Sequence, residues 1–237
     1  MEKRKTYINE LDEALQGGIP ANHLVLLSGS PGTGKTTLGM EFAVNGLVNE
    51  EEGALLFTMT ESEVKVKENL KEFSFYNEEH FAEGRITIID LRTIQIHNEG
   101  EFSSYNPKMV LDFIAEQIDH FNAKRIIIDS ITAICKRIND YNVIRSFLYE
   151  LGNLLSVKDC IAVLISEVPK GESKYSNYDV EEFISDGIIH LDYMEKNNRL
   201  IKTLQIIKMR GTNHSQEKFM VNIEKEGVKL LPLLDHQ

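Results

Sequence analysis

The sequence predicts an α/β fold, with a mainly parallel, twisted sheet flanked by helices and extended by antiparallel strands on its C-terminal side. Three observations carry this expectation. Short apolar runs alternate with helical spacing through most of the chain. From residue 186 onward the helical spacing gives way to strand-like runs separated by turns. A glycine-rich stretch lies between an apolar run and a helical pattern, as a strand feeding a tight loop. Alternating strands and helices followed by a meander give a parallel sheet with antiparallel additions.

The elements follow in order. His23–Leu27 is a strand that runs into Gly29–Gly34. Residues 35–48 place Leu38, Phe42 and Val44 to Val48 at helical spacing, and Ala54–Met59 is a second apolar run. Residues 62–72 read as a helix, with Thr60 as cap and Glu63 three positions on as its capping-box partner. Ile86–Ile89 is a strand, and the polar stretch 92–106 is a loop. Pro107 opens a helix whose face carries Val110, Phe113, Ile114, Ile118 and Phe121. Ile126–Ile128 has the composition of a buried strand. Asp140 caps a helix with Val143, Ile144, Phe147, Leu148, Leu151 and Leu155 on one face. After the strand Ile161–Ile165 come Gly187–Leu191, Leu200–Met209, Phe219–Ile223 and Val228–Leu231, with turns at Asn197-Asn198 and Glu226-Gly227.

Composition narrows the function. The 237 residues, read as one domain over 1–237, include 42% apolar and 27% charged residues, which suits a packed core. Acidic residues outnumber basic ones, 37 to 26, for a net charge of −11. That balance excludes a uniformly basic nucleic-acid surface. Cys135 and Cys160 stand in apolar surroundings without metal-binding spacing and read as buried thiols of a reducing cytoplasm. No secretory leader opens the sequence, and no apolar run approaches membrane-spanning length, so the expected location is cytoplasmic with no membrane partner.

Gly29-Ser30-Pro31-Gly32-Thr33-Gly34-Lys35-Thr36 fits G-x-x-x-x-G-K-[ST] in full. Glycines let backbone N–H groups wrap phosphates, and the following helix adds its N-terminal partial charge. Lys35 is placed to reach the β- and γ-phosphates, and the Thr36 hydroxyl to meet Mg²⁺. Arg125-Ile126-Ile127-Ile128-Asp129 has the form of a buried partner strand with a carboxylate at its tip, suited to hold the Mg²⁺ shell. Glu61, just past another strand, has two readings on its residues alone. It is a carboxylate that polarises a water, or a first-turn acid favoured by the helix dipole.

Beyond the phosphate loop, four further segments resemble the KaiC domain of the RecA-like ATPases. Leu11-Asp12-Glu13 to Gly17-Gly18-Ile19-Pro20 resembles that family's opening segment, with Glu10 where the family has glycine. Ile128-Asp129-Ser130-Ile131-Thr132, Val180 to Asp186, and Lys208-Met209-Arg210-Gly211-Thr212-Asn213-His214 are similar to later family motifs, in the family's order. The resemblance implies a RecA-like P-loop fold, ATP or ADP with Mg²⁺ as ligands, and a homo-oligomeric, hexameric ring with ATP between subunits. Ser30, Pro31, Gly32, Thr33, Gly34, Lys35, Thr36 and Thr37 become the nucleotide contacts, and Thr36 and Asp129 the metal contacts. Glu61 matches the first of the family's paired glutamates, and Ser62 stands where the second belongs. Lys208, Arg210 and His214 match residues that reach a neighbour's γ-phosphate; on their own they read as a solvated K-x-R at a strand end. Clock proteins of the family carry two such domains and a phosphorylated Ser/Thr pair. These 237 residues read as one such domain with no convincing equivalent of that pair, so a clock kinase role is not expected to carry over.

Two rival functions stay open at this point. The missing second acid fits a nucleotide-gated binding module with negligible turnover. A DNA recombination or repair ATPase is the third, and the net charge argues against it. Loop 169–182, with Lys170, Lys174, Tyr175 and Tyr178, would line such a channel and stack bases, yet its charges cancel and it reads better as a mobile surface loop. Lys136-Arg137 reads as a solvated pair, and no histidine pair has zinc-ligand spacing.

Overall fold

The computed structural model describes residues 2–92, 106–168, 174–196 and 198–233. At the start, β1 (Lys3–Arg4) and β2 (Ile19–Pro20) form a short antiparallel ribbon around α1 (Asn9–Ala14). The alternating part follows as β3 (Leu24–Gly29), α2 (Lys35–Glu50), β4 (Ala54–Thr58), α3 (Glu63–Leu70), α4 (Glu78–Ala82), β5 (Ile86–Asp90), α5 (Pro107–Phe121), β6 (Arg125–Asp129), α6 (Ile131–Ile138), α7 (Tyr141–Val157), β7 (Ile161–Glu167) and α8 (Val180–Ile184). The meander is β8 (Gly187–Lys196), β9 (Arg199–Met209), β10 (Lys218–Glu224) and β11 (Gly227–Pro232).

These strands form one nine-stranded sheet in the order β11-β10-β9-β8-β3-β7-β6-β4-β5. From β8 to β5 every neighbouring pair is parallel, and from β8 to β11 every pair is antiparallel. β8 is therefore the seam between the two halves, parallel to β3 on one side and antiparallel to β9 on the other. Continuous apolar runs make sense here because the parallel strands are covered on both faces. On β3, Val25 and Leu27 pack with Met40, Phe42 and Leu47 of α2, while Leu24 and Leu26 pack with the cluster that includes Ile114 of α5 and Phe147 and Leu151 of α7.

Caps set the helix boundaries. Asn106 accepts from the N–H groups of Lys108 and Met109 in front of Pro107, and Asp140 accepts from those of Asn142 and Val143. The expected capping box at Thr60 does not form. Ser62 is the cap of α3 and accepts from Lys65 N–H. The cause lies in the strand end: Thr58 Oγ1 donates to Glu61 O and accepts from Glu61 N–H, a turn that holds Thr60 and Glu61 ahead of the helix. Glu61 is thus not a first-turn acid. Val48 and Val143, assigned to apolar faces by spacing, are exposed. Of the polar stretch 92–106, residues 93–105 lie outside the described residues.

One buried acid ties the meander to the core. Glu41 on α2 accepts from Val228 N–H at 2.7 Å, and a Cβ on Gly227, whose φ is +126°, would come within 2.4 Å of its Oε1. Burial pushes the Glu41 carboxyl up to about 7, with the Val228 N–H opposing. Its folded value exceeds the unfolded one, so the folded state holds the proton more tightly. Stability from this group falls as pH rises from about 4.5 through 7. Glu41→Gln is expected to raise stability by about 2 kcal/mol at pH 8 and by little at pH 4.5, measured by urea unfolding of both proteins.

Candidate nucleotide site

A cleft of 470 Å³ opens at the C-terminal ends of β3, β4, β6 and β7, where parallel sheets place their ligands. Its floor is the loop between β3 and α2, including Pro31, Gly32, Gly34, Lys35, Thr36 and Thr37. Gly32 and Gly34 have φ values of +77° and +102°, so a side chain at either would be strained. Gly34 also caps α2 without a side chain, which leaves the first-turn N–H groups of that helix for an anion. Thr33 is buried and its hydroxyl donates to Ser30 O at 2.8 Å, while Ser30 Oγ lies 3.5 Å from Asp192. Those two side chains brace the loop from within rather than facing the cleft.

Lys35 is buried, and its ammonium donates to Gly29 O and Ser30 O, each at 2.9 Å. Burial lowers its pKa, and the carboxylates of Glu167 and Asp129 work against that. Thr36 Oγ1 donates to Asp129 Oδ2 at 2.5 Å, so the expected metal contacts from α2 and β6 meet at the cleft. Burial raises the Asp129 pKa; the Thr36 hydroxyl and Lys35 lower it, and Glu167 and Glu61 raise it further. A buried carboxylate beside a hydroxyl, both oxygen donors, fits a hard divalent cation that takes its remaining ligands from phosphate and water.

Glu61 stands on the cleft wall, paired with Lys65 at 3.0 Å and receiving the Asn69 amide at 3.0 Å. Sequence reasoning missed Glu167, the last residue of β7, which also lines the cleft and faces Lys35 and Asp129. Its signal was the one that marked Asp129, an acid at the tip of an apolar strand. Also missed was the apolar wall of Val66, Leu70, Phe73 and Ile223.

Lys208, Arg210 and His214 do not line this cleft. They lie at the other end of the sheet. Arg210 N–H donates to Asp186 O, Asp186 N–H donates to Leu24 O, and His23 contacts Arg210 O at 3.1 Å. Leu24 begins β3 and the phosphate loop follows its end, roughly 17 Å of strand away. Lys208 is half-buried, with its ammonium on Glu182 O and Ser185 O at 3.0 and 2.6 Å, where it caps the C-terminal carbonyls of α8. Arg210 is 55% exposed and bonds Asp186 at 2.9 Å. His214 Nδ1 contacts Ser215 O at 2.9 Å. In segment 174–179, Tyr175 and Tyr178 pack against the apolar cluster of α7 instead of pointing outward, and Lys174 pairs with Asp179 at 3.3 Å. Lys170 lies outside the described residues. No helix among the described residues is long and apolar enough to cross a membrane.

Comparison with known proteins shows the family and the fold. The family model for the KaiC ATPase matches residues 4–235. A UPF0273 protein of Methanocaldococcus jannaschii is 34% identical over 98% of this chain and 97% of its own length. One from Thermotoga maritima is 33% identical over 98% and 97%. A crystal structure of a KaiC-like protein from the hyperthermophilic archaeon Pyrococcus horikoshii superposes with a TM-score of 0.86 at 33% identity, covering 98% of this chain and 99% of that one. With a complete phosphate loop, its strand-tip aspartate and these likenesses over the full fold, the chain belongs to the KaiC family of ATPases and has the RecA-like fold.

Proposed function

We propose that this protein hydrolyses ATP to ADP and phosphate, with Mg²⁺, at sites shared between adjacent copies in a homo-oligomeric ring, hexameric by family likeness. The observation that carries this reading is a separation. Each chain has a formed phosphate loop at one end of its sheet and the exposed cation Arg210 at the other, beyond intramolecular reach.

In the mechanism, loop amides and the α2 N-terminus bind the phosphates, and Lys35 moves part of its hydrogen bonding from Gly29 O and Ser30 O to phosphate oxygens. Thr36 and Asp129 would hold Mg²⁺, which when bound would supply positive charge to offset that of the phosphates. Glu61, oriented by Lys65 and Asn69, polarises the attacking water. The neighbour's Arg210 meets charge that develops on the phosphoryl group, and Lys208 positions the α8 end beside it. The test is phosphate release against protein concentration. Turnover per subunit is expected to fall on dilution to monomer. Turnover that stays constant down to a demonstrated monomer contradicts shared sites.

A nucleotide-gated module is the second reading. Glu61 already has two partners, and Ser62 serves as a helix cap where a second acid would stand. Micromolar nucleotide binding with no phosphate release would favour it. The net charge of −11 and the inward-packed tyrosines weigh against a DNA substrate.

A further inference from the structure

The strand that delivers the phosphate loop carries a polar contact that nucleotide binding does not use. Ser28 is fully buried on β3, and its Oγ lies 2.9 Å from Nδ1 of His190 on the adjacent strand β8. The other side of that imidazole meets the Tyr175 ring edge-on, with centroids 5.1 Å apart at 77°. Tyr175 belongs to segment 174–179, which is pinned to α8. Glu182 accepts from Tyr175 N–H at 3.0 Å and from the Ser176 hydroxyl at 3.1 Å, and Glu181 accepts from Tyr178 N–H at 3.2 Å. A second strut runs from the Asn177 amide to Glu167 O at 3.0 Å, and Glu167 is the acid that faces Lys35 and Asp129. The segment therefore touches the nucleotide site along two lines, one of them through a single histidine.

We propose that His190 is a positioning residue that couples occupancy of the phosphate loop to the packing of segment 174–179. This rests on the nucleotide-binding reading above. Ser28 adjoins Gly29, whose carbonyl now accepts from Lys35. When that ammonium turns to phosphate oxygens, the hydrogen bonding of the β3 tip changes one residue from the Ser28 hydroxyl. A directional hydrogen bond carries the change to the imidazole, and the edge contact carries it to Tyr175. Helix α8, to which the segment is pinned, also holds Lys208, so the segment sits between a chain's own nucleotide and the face it offers a neighbour.

The charged groups around His190 define a pH dependence. Burial lowers its pKa; Asp192 on β8 and Glu182 on α8 oppose this, and Lys218 on β10 and Lys35 on α2 reinforce it, with the uncharged Tyr175 ring completing the surroundings. The folded value is depressed, so the neutral ring and its contribution are fully present above about 6.5 and are lost as pH falls through the folded value.

The test uses trypsin cleavage after Lys174, followed by mass spectrometry, with calorimetry and light scattering on the same samples. In wild type, Mg–ATP is expected to slow this cleavage about ten-fold at pH 7.5. The effect is expected to fade as pH falls from about 6.5 through the depressed folded value of His190. His190→Ala is expected to bind Mg–ATP within about two-fold of wild type and to assemble like it, yet cleave at one rate with and without nucleotide. His190→Gln, which keeps an amide for Ser28, is expected to restore at least part of the response and to remove its pH dependence. Should His190→Ala fail to fold, Tyr175→Leu is read in the same way. The inference is overturned if the alanine variant keeps the wild-type ratio, if wild type binds Mg–ATP without a change in cleavage, or if protection follows assembly in every variant. Absence of Mg–ATP binding by wild type removes the nucleotide reading itself, a distinct result.

Discussion

Arg210→Ala is expected to slow steady-state phosphate release about 10³-fold while each subunit still binds Mg–ATP. The size follows from charge. In phosphoryl transfer the developing negative charge spreads over the equatorial oxygens, and a cation supplied from outside is worth about 10³ to 10⁵ in rate. Arg210 meets the requirements for such a cation: it is planar, permanently charged and 55% exposed, and bonds Asp186 at 2.9 Å. Its distance from its own loop means that the substitution leaves the nucleotide cleft of the same chain intact. Lys208→Ala is a less clean experiment. Removing an ammonium from Glu182 O and Ser185 O strips a cap from α8, so stability should fall along with turnover. Phosphate release and calorimetry on the Arg210 variant separate chemistry from binding.

Glu61→Gln should produce the second large effect, a loss of about 10² to 10³ in turnover with little change in Mg–ATP affinity. The amide keeps the size of the side chain and an acceptor for Asn69, but it cannot draw a proton from water. Loss of the Lys65 ion pair adds little because that lysine is 61% exposed. A rate unchanged from wild type would move Glu61 to a structural role and favour the binding-module reading.

Much of this site was legible because its chemistry is local in sequence. Eight consecutive residues make the phosphate loop, and Asp129 announces itself as an acid at the tip of an apolar strand. The parallel sheet was legible too, since runs such as Ile126–Ile128 and Ile161–Ile165 are apolar on both faces and suit double burial. What failed to show was tertiary. Strand spacing describes Gly187–Leu191 without telling that it joins β3 in parallel, a pairing of residues such as Ser28 and His190 that are far apart in the chain. The Thr60 capping box lost to a turn closed by Thr58, because two local hydrogen-bond schemes competed for the same residues. Lys208 and Arg210 looked alike as a K-x-R pair. The packing of α8 gives the lysine two carbonyls and leaves the arginine outside. Glu167 escaped notice because its importance comes from β7 lying between β3 and β6, which only the strand order reveals.

The most direct measurement mixes two inactive variants. Arg210→Ala subunits retain Glu61, and Glu61→Gln subunits retain Arg210. In a randomly mixed ring about a quarter of the interfaces pair an intact cleft with an intact neighbouring arginine. The mixture is therefore expected to recover about a quarter of wild-type phosphate release although each parent has almost none. A mixture as inactive as its parents, when both bind Mg–ATP and co-assemble, would contradict a catalytic site built from two copies of this chain.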